Sequence, residues 1–265
     1  MEWNIILGYA GAMLTGVVLG LLGGGGALFS IPVLVYLFHI PPAVATGYSF
    51  FLIGVTATFG VAQNVRKQLI NYSVALYYGV PSVLTVFVVR KFVIHQLPEI
   101  VLQGGGISIS KDFFILTLLS LMMLLAGYRM AIDSNRTQDK PLQNNYPLLV
   151  LIAIGVGFFL GLVGAGGGFL MTPALIYFAG LDMRKALATS LLLVMVNSFI
   201  GFLGDVGTSP HLDAWFLFKF SCFSLLGMAL GMYLLHYIDA IKLKKYFGWL
   251  MLCMGLAILA IEIFK

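Results

Sequence analysis

The stretch LGLLGGGGALFSIPVLVYLF, from Leu19 to Phe38, places four consecutive glycines, Gly23 to Gly26, inside an otherwise apolar run. Each glycine costs a helix interior about 1 kcal/mol relative to alanine. Four in a row therefore break the helix, and the question is what such a break does in an apolar setting.

The setting is a lipid bilayer. Of the 265 residues, 60% are hydrophobic and 9% charged, whereas soluble domains carry about 25% charged residues. A soluble core has no room for so much apolar surface, so the chain reads as an all-α integral membrane protein of the multi-pass kind. Its net charge of +5 then matters through where the charges sit, and no nucleic-acid partner is expected. The first apolar run follows Glu2 rather than a positive stretch and no cleavage-like site follows it, so it reads as a membrane helix. Cys222 and Cys253 both lie in apolar runs and suggest neither a disulfide framework nor a metal site.

About 20 apolar residues are needed to span a bilayer core. The segments 3–22, 43–63, 72–90, 112–132, 146–163, 186–204, 213–237 and 246–264 qualify. Two shorter runs, 27–40 and 168–180, each follow a glycine cluster and reach only roughly 20 Å at 1.5 Å per residue. Segment 91–111 reads as a loop, and 133–145, DSNRTQDKPLQNN, as a polar linker.

That linker divides two related halves, 1–132 and 146–265. GVVLGLLGGGGALFSIPVLVYLF (Gly16 to Phe38) aligns without gaps on GFFLGLVGAGGGFLMTPALIYFA (Gly157 to Ala179). After a two-residue insertion, AVATGYS (Ala43 to Ser49) falls on ALATSLL (Ala186 to Leu192), which sets Thr46 on Thr189. If each glycine run makes a hairpin, every half has five segments and the halves have opposite orientation. One face then collects Arg66, Lys67, Arg129, Arg136, Lys140, Arg184, Lys185, Lys242, Lys244 and Lys245, and the other Arg90, Lys91, Lys111 and Lys265. If each run only bends a helix, the separation falls to eight against six. Basic residues favour the cytoplasmic side, so the hairpin form is expected: two inverted-topology repeats, each of four long helices and one short re-entrant one, with termini outside and the linker cytoplasmic.

A short helix that begins inside the protein presents unpaired N–H groups and about half a positive charge at its start. Two such starts facing one site suit a small anion. Gly24, Gly25, Gly26, Gly166, Gly167 and Gly168 are the candidates there, whereas Gly16, Gly20, Gly157 and Gly161 read as helix-packing residues. Neither glycine cluster has the Lys-Ser or Lys-Thr of a phosphate-binding loop.

Thr46, Ser49, Thr189, Ser190, Asn197 and Ser198 lie in the helices that follow and can donate to anion oxygens without a fixed charge. The plainer reading is that such hydroxyls bond their own helix. Asp205 is the acidic candidate for a coupling proton or cation, with an interfacial carboxylate as the alternative. Lys219 either attracts substrate or snorkels to the interface.

A GxGGGxxxxP element opening each half, an Ala-Thr-Ser after the second and a polar middle linker resemble the TauE/SafE sulfite-exporter family. The resemblance covers essentially the whole chain and is strongest over Gly161 to Leu193, although Thr46-Gly47 stands where the second half has Thr189-Ser190. It implies a transporter of sulfite or a small organosulfur anion such as sulfoacetate, in the inner (plasma) membrane, without a cofactor. The partners expected are that anion, the lipid bilayer and a second copy of the chain in a homodimer. An anion channel of the same architecture, or a carrier for another small anion, is the alternative. An intramembrane enzyme is disfavoured, because Ser221 and Ser224 stand about 18 to 22 Å along the helix from His236 at 1.5 Å per residue. Paired broken helices also argue against a passive scaffold.

Overall fold

The structure is a computed structural model and describes residues 2–22, 27–94, 96, 98, 100–104, 107–132, 146–164, 167–205, 213–235, 237, 238 and 240–264. The glycines at 23–26, Gly166 and the linker 133–145 lie outside the described residues.

The first half holds α1 (Glu2–Leu22), the short α2 (Ala27–Pro32) with a π-helical continuation (Val33–Leu37), α3 (Pro42–Arg66), α4 (Tyr72–Val88) with a second π-helical end (Val89–Val93), and α5 (Lys111–Ile132). The second holds α6 (Tyr146–Val163), the short α7 (Gly168–Phe178), α8 (Met183–Asp205), α9 (Ala214–Leu234) and α10 (Ala240–Ile263). Pro32 ends the α-helical part of its segment, and the next turn closes with Phe38 N donating to Val33 O, a five-residue step. The local start signals also recur. Asn71 caps α4 through Val74 N, and Asp213 caps α9 through Phe216 N.

Segment 91–111 departs from the expected loop. It completes the π-helical turn and then forms an antiparallel hairpin of β1 (Ile100–Gly104) and β2 (Ile107–Ser110). The alternation of Ile and Ser over 107–110 is a strand period, and among the described residues the fold is helical apart from this ribbon. Among the described residues, six helices are long and apolar enough to cross a membrane: α3, α4 with its extension, α5, α6, α8 and α9. Helices α1 (21 residues) and α10 (24 residues) are of comparable length. Leu76, Leu84, Leu151, Phe218 and Leu226 are exposed on the outside of the bundle. That apolar surface suits lipid and not water, and the protein is a multi-pass membrane protein.

The core contacts cross between halves. The main pairs are α1 with α9, α4 with α6, α3 with α8, α5 with α10, α3 with α9, and α4 with α8. Glycines set the closest of these. A Cβ on Gly16 or Gly20 would strike the backbone of α9 near Ser224 and Met228, and one on Gly227 or Gly231 the backbone of α1 at Met13 and Val17. On α6, Gly157 meets Ser82 and Gly161 meets Val89 in the same manner. The packing role expected of Gly16, Gly20, Gly157 and Gly161 is what these contacts display.

The contacts also fix directions. Residue numbers rise together in α1 with α9 and in α4 with α6, so these pairs are parallel. They also rise together in α3 with α9 (Tyr48–Asp213, Thr56–Ser224) and in α4 with α8 (Asn71–Thr189, Asn197–Ser82). In α3 with α8 they run oppositely: Gly47 faces Asp205, Phe50 faces Gly201, and Gly54 faces Phe199. Because α1 and α3 are both parallel to α9, the chain doubles back between them. Gly11 against Val33 and Gly8 against Phe38 place that return along α1. Helices α6 and α8 are likewise both parallel to α4, so the chain reverses a second time at α7.

Candidate functional site

Each short helix is tied to the long one after it by a pair of buried hydroxyls. Ser30 on α2 lies 2.5 Å from Ser49 on α3. On α7, Thr172 donates to Ser190 of α8 at 2.9 Å, and Ser190 in turn donates to Leu187 O. These bonds consume hydroxyls and position the short helices. Gly167, in the left-handed region at φ 84°, caps the start of α7, and its carbonyl accepts from Leu170 and Met171.

Helices α4 and α8 are joined at three polar levels. At the first, Asn71 N donates to Thr189 Oγ1 at 3.0 Å. At the second, Asn197 Nδ2 donates to Ser82 Oγ at 3.0 Å and lies 3.8 Å from Met171 Sδ of α7. The third is an ion pair. Arg90 Nε donates to Asp205 Oδ1 at 2.9 Å, and Nη2 donates to Oδ2. The guanidinium is 2% exposed and the carboxylate 4%.

Elements of both halves enclose that pair. Arg90 Nη1 donates to Thr46 Oγ1 of α3 at 3.1 Å and to Gly161 O of α6 at 3.4 Å. Its guanidinium carbon stands 5.2 Å from the Phe50 ring centroid. Thr46 Oγ1 in turn donates a hydrogen bond to Ala43 O at 2.8 Å. Gly204 lets the end of α4 approach α8, since a Cβ there would lie 2.9 Å from Arg90 Cβ. Gly164, at φ 72° where the second glycine turn begins, packs directly on Thr46. A buried charge needs a paired, hydrogen-bonded partner. Here the partner is a carboxylate from the other half of the chain.

Thr46 and Asp205 therefore meet at one point, with Gly164 of the second glycine cluster beside them. Thr189, Asn197 and Ser190 are buried along α8. Among the described residues no acceptor takes the Thr189 proton, and Asn197 Oδ1 and Ser198 Oγ have no hydrogen-bond partner. Ser49 is held by Ser30. Gly167 and Gly168 open α7, while Gly24, Gly25, Gly26 and Gly166 lie outside the described residues. Lys219 stands apart from these buried residues: it is exposed on α9, with Nζ 5.1 Å from the Trp215 ring centroid.

Arg90 is the residue that sequence reasoning missed. In VVRKFVIH, Val88 to His95, it reads as one of a pair of membrane-edge anchors. The available signal was Asp205, a carboxylate at the end of an apolar helix that requires a cation. The chain offers few cations in apolar surroundings.

The family described as Sulfite exporter TauE/SafE matches residues 8–258. The chain belongs to the TauE/SafE sulfite-exporter family. A probable membrane transporter protein of Bacillus subtilis, YjnA, is 30% identical over 189 residues, covering 68% of this chain and 70% of that one. A probable membrane transporter protein of Xylella fastidiosa (strain Temecula1) is 26% identical over 270 residues, covering 97% and 95%. No solved structure matches the chain. The membership makes this protein a membrane transporter of the TauE/SafE type and not an enzyme. The match takes in every element that contributes to the Arg90 cluster.

Proposed function

We propose that this TauE/SafE protein is a secondary transporter that exports a small sulfur-containing anion, sulfite or an organosulfonate such as sulfoacetate. The observation that carries the proposal is the buried Arg90 guanidinium, held where α3, α4, α6 and α8 of the two halves converge. A fixed cation in an apolar bundle is a receptor for negative charge. Further along α8, Thr189, about 24 Å from the Asp205 level at 1.5 Å per residue, and the Asn197 amide add neutral polar groups, with the first turn of α7 beside Asn197. Thr46 and the two glycine clusters at 24–26 and 166–168 complete the proposed binding region, and Ser49 and Ser190 position the short helices beside it.

The halves, 1–132 and 146–265, are proposed to be inverted repeats joined by a cytoplasmic linker in the inner (plasma) membrane. Two relationships support this. Exchanging the halves turns α1–α9 into α6–α4 and α3–α9 into α8–α4, which are the pairs observed. The chain of parallel and antiparallel contacts also makes α6 run opposite to α1. With Arg90 buried, the charges left to mark the outer side are Lys91, Lys111 and Lys265, against ten on the inner. Alternating access would rock one repeat against the other. Export of an anion from a negative-inside cell gains about 2.3 kcal/mol per charge per 100 mV.

The test is counterflow of labelled sulfite in proteoliposomes, competed by sulfoacetate, taurine, thiosulfate and sulfate. Saturable exchange with an order among competitors is expected. Flux that never saturates indicates a channel, and no exchange with any sulfur anion refutes the substrate class.

A further inference from the structure

We propose that the start of α10 carries a binding site for the headgroup of an anionic phospholipid. Lys242, Lys245, Tyr246 and Trp249 line a cavity of about 350 Å³ there. The site lies apart from the Arg90 cluster, and it stands or falls independently of the transported anion.

The sequence puts these residues on one helix face. Spacings of three, four and seven bring Lys242, Lys245, Tyr246 and Trp249 together along α10. Both lysines are exposed, and Tyr246 and Trp249 are 69% and 57% exposed. Exposed aromatic rings beside lysines suit the boundary of a bilayer, with the apolar ring toward the acyl chains and the polar tip toward the headgroups. The ammonium groups, the Tyr246 hydroxyl and the Trp249 indole N–H are all donors. Their shared complement is a negative group rich in acceptor oxygens, which is the chemistry of a phosphodiester. A cavity of about 350 Å³ falls at the lower end of the roughly 300–1,000 Å³ typical of small-molecule sites. It fits a headgroup and leaves the acyl chains outside.

The two lysines also lack the partners that other cations in the chain possess. Arg90 is paired with Asp205, and Lys185 with Asp182. Among the described residues no carboxylate pairs with Lys242 or Lys245. The described carboxylate of α10 is Glu262, about 26 Å along the helix from Lys245 at 1.5 Å per residue. Arg129, exposed on α5, adds positive charge at this end, because Gly127 and Ala131 of α5 both face Gly248. The dipole of α10 has its positive end here as well.

The surface beyond the cavity favours a lipid over a soluble anion. Cys253, Leu256 and Ala260 continue the same face at steps of three or four residues, and all three are exposed. Lys242 to Leu256 spans about 21 Å of helix, more than half of a hydrocarbon core of about 30 Å. A lipid with its headgroup in the cavity therefore lays its chains on apolar protein through one leaflet. In the proposed topology that leaflet is the cytoplasmic one, where anionic lipids attract basic residues.

The test is native mass spectrometry of the purified full chain, released from micelles holding equal phosphatidylglycerol and phosphatidylcholine with the same acyl chains. We expect one phosphatidylglycerol retained per chain, at least tenfold in preference to phosphatidylcholine, and less of it as ionic strength rises. The double variant Lys242→Ala, Lys245→Ala should lose about thirtyfold in phosphatidylglycerol affinity, the worth of two lysines at an anionic surface. Lys185→Ala, elsewhere on the surface, should keep the preference. Should the double variant fail to fold, Trp249→Leu tests the same cavity and should also weaken phosphatidylglycerol binding. Equal retention of the two lipids, or an unchanged preference in the folded variants, overturns the site. Competition by free glycerol 3-phosphate as strong as that by the lipid overturns it in favour of a soluble anion. Ready disulfide formation between copies at Cys253, in a Cys222→Ser background, overturns it in favour of a second chain on this face.

Discussion

Gly164 of the second half lies directly on Thr46 of the first: a Cβ built on the glycine would stand 2.9 Å from Thr46 Cα and collide with its Cβ. Thr46 is also the hydroxyl that accepts from Arg90. One glycine turn, one threonine and one buried cation thus form a continuous contact across the two halves.

Replacement of Gly164 by alanine should disturb all three. The position has φ 72°, where a Cβ costs roughly 1 kcal/mol or more, and the added methyl has no room. We expect a lower melting temperature in detergent and loss of sulfite counterflow, with membrane insertion retained. Full counterflow activity would show that the contact is dispensable.

The ion pair predicts a non-additive pattern. Arg90→Leu leaves a buried carboxylate and should destabilise by about 3–5 kcal/mol. Arg90→Leu combined with Asp205→Leu removes both charges and should recover most of that loss, because paired charges and apolar replacements are nearly equivalent in stability. Thermal unfolding of the two variants checks this, and equal destabilisation would contradict it.

Much of the fold was legible in the chain because lipid imposes length on apolar segments and glycine repeats mark the breaks. The eight long segments, the two short helices and the reversals between them follow from those rules. Partners were not legible. In a membrane the lipid-facing and core-facing sides of a helix are both apolar, so nothing in α4 announces that it runs beside α8. Arg90 was lost for the same reason: at a helix end, beside Lys91, it looks like an interfacial anchor until α8 is placed next to it. Thr46, Thr189 and Asp205 stand out in the sequence through repeat position and residue type without knowledge of neighbours, and all three are buried in the fold. The ribbon at 100–110 escaped because a short strand signal next to glycines reads as loop.

The glycine contacts separate close packing from mere tolerance. Gly16→Ala should destabilise the α1–α9 contact, since the methyl would meet Ser224 O and Met228 N. Gly155→Ala meets nothing within 4 Å and should be neutral or stabilising by up to about 1 kcal/mol through helix propensity. Unfolding midpoints of the two variants should move in different directions.

The hydroxyl ties predict a small stability effect with a larger kinetic one. Thr172→Val breaks the bond to Ser190, and interhelical bonds of this kind average about 0.6 kcal/mol. A minor shift in melting temperature is expected, together with slower counterflow as α7 loses its attachment to α8. An unchanged rate would confine the tie to a structural role.

The central claim is that Arg90 receives the transported anion. The most direct test is equilibrium binding of sulfite and sulfoacetate to the Arg90→Gln, Asp205→Asn double variant, which keeps the pair neutral, compared with wild type. The account predicts that the folded double variant loses binding of both anions at least tenfold. Wild-type affinity in the folded double variant would contradict it and would place the anion elsewhere in the bundle.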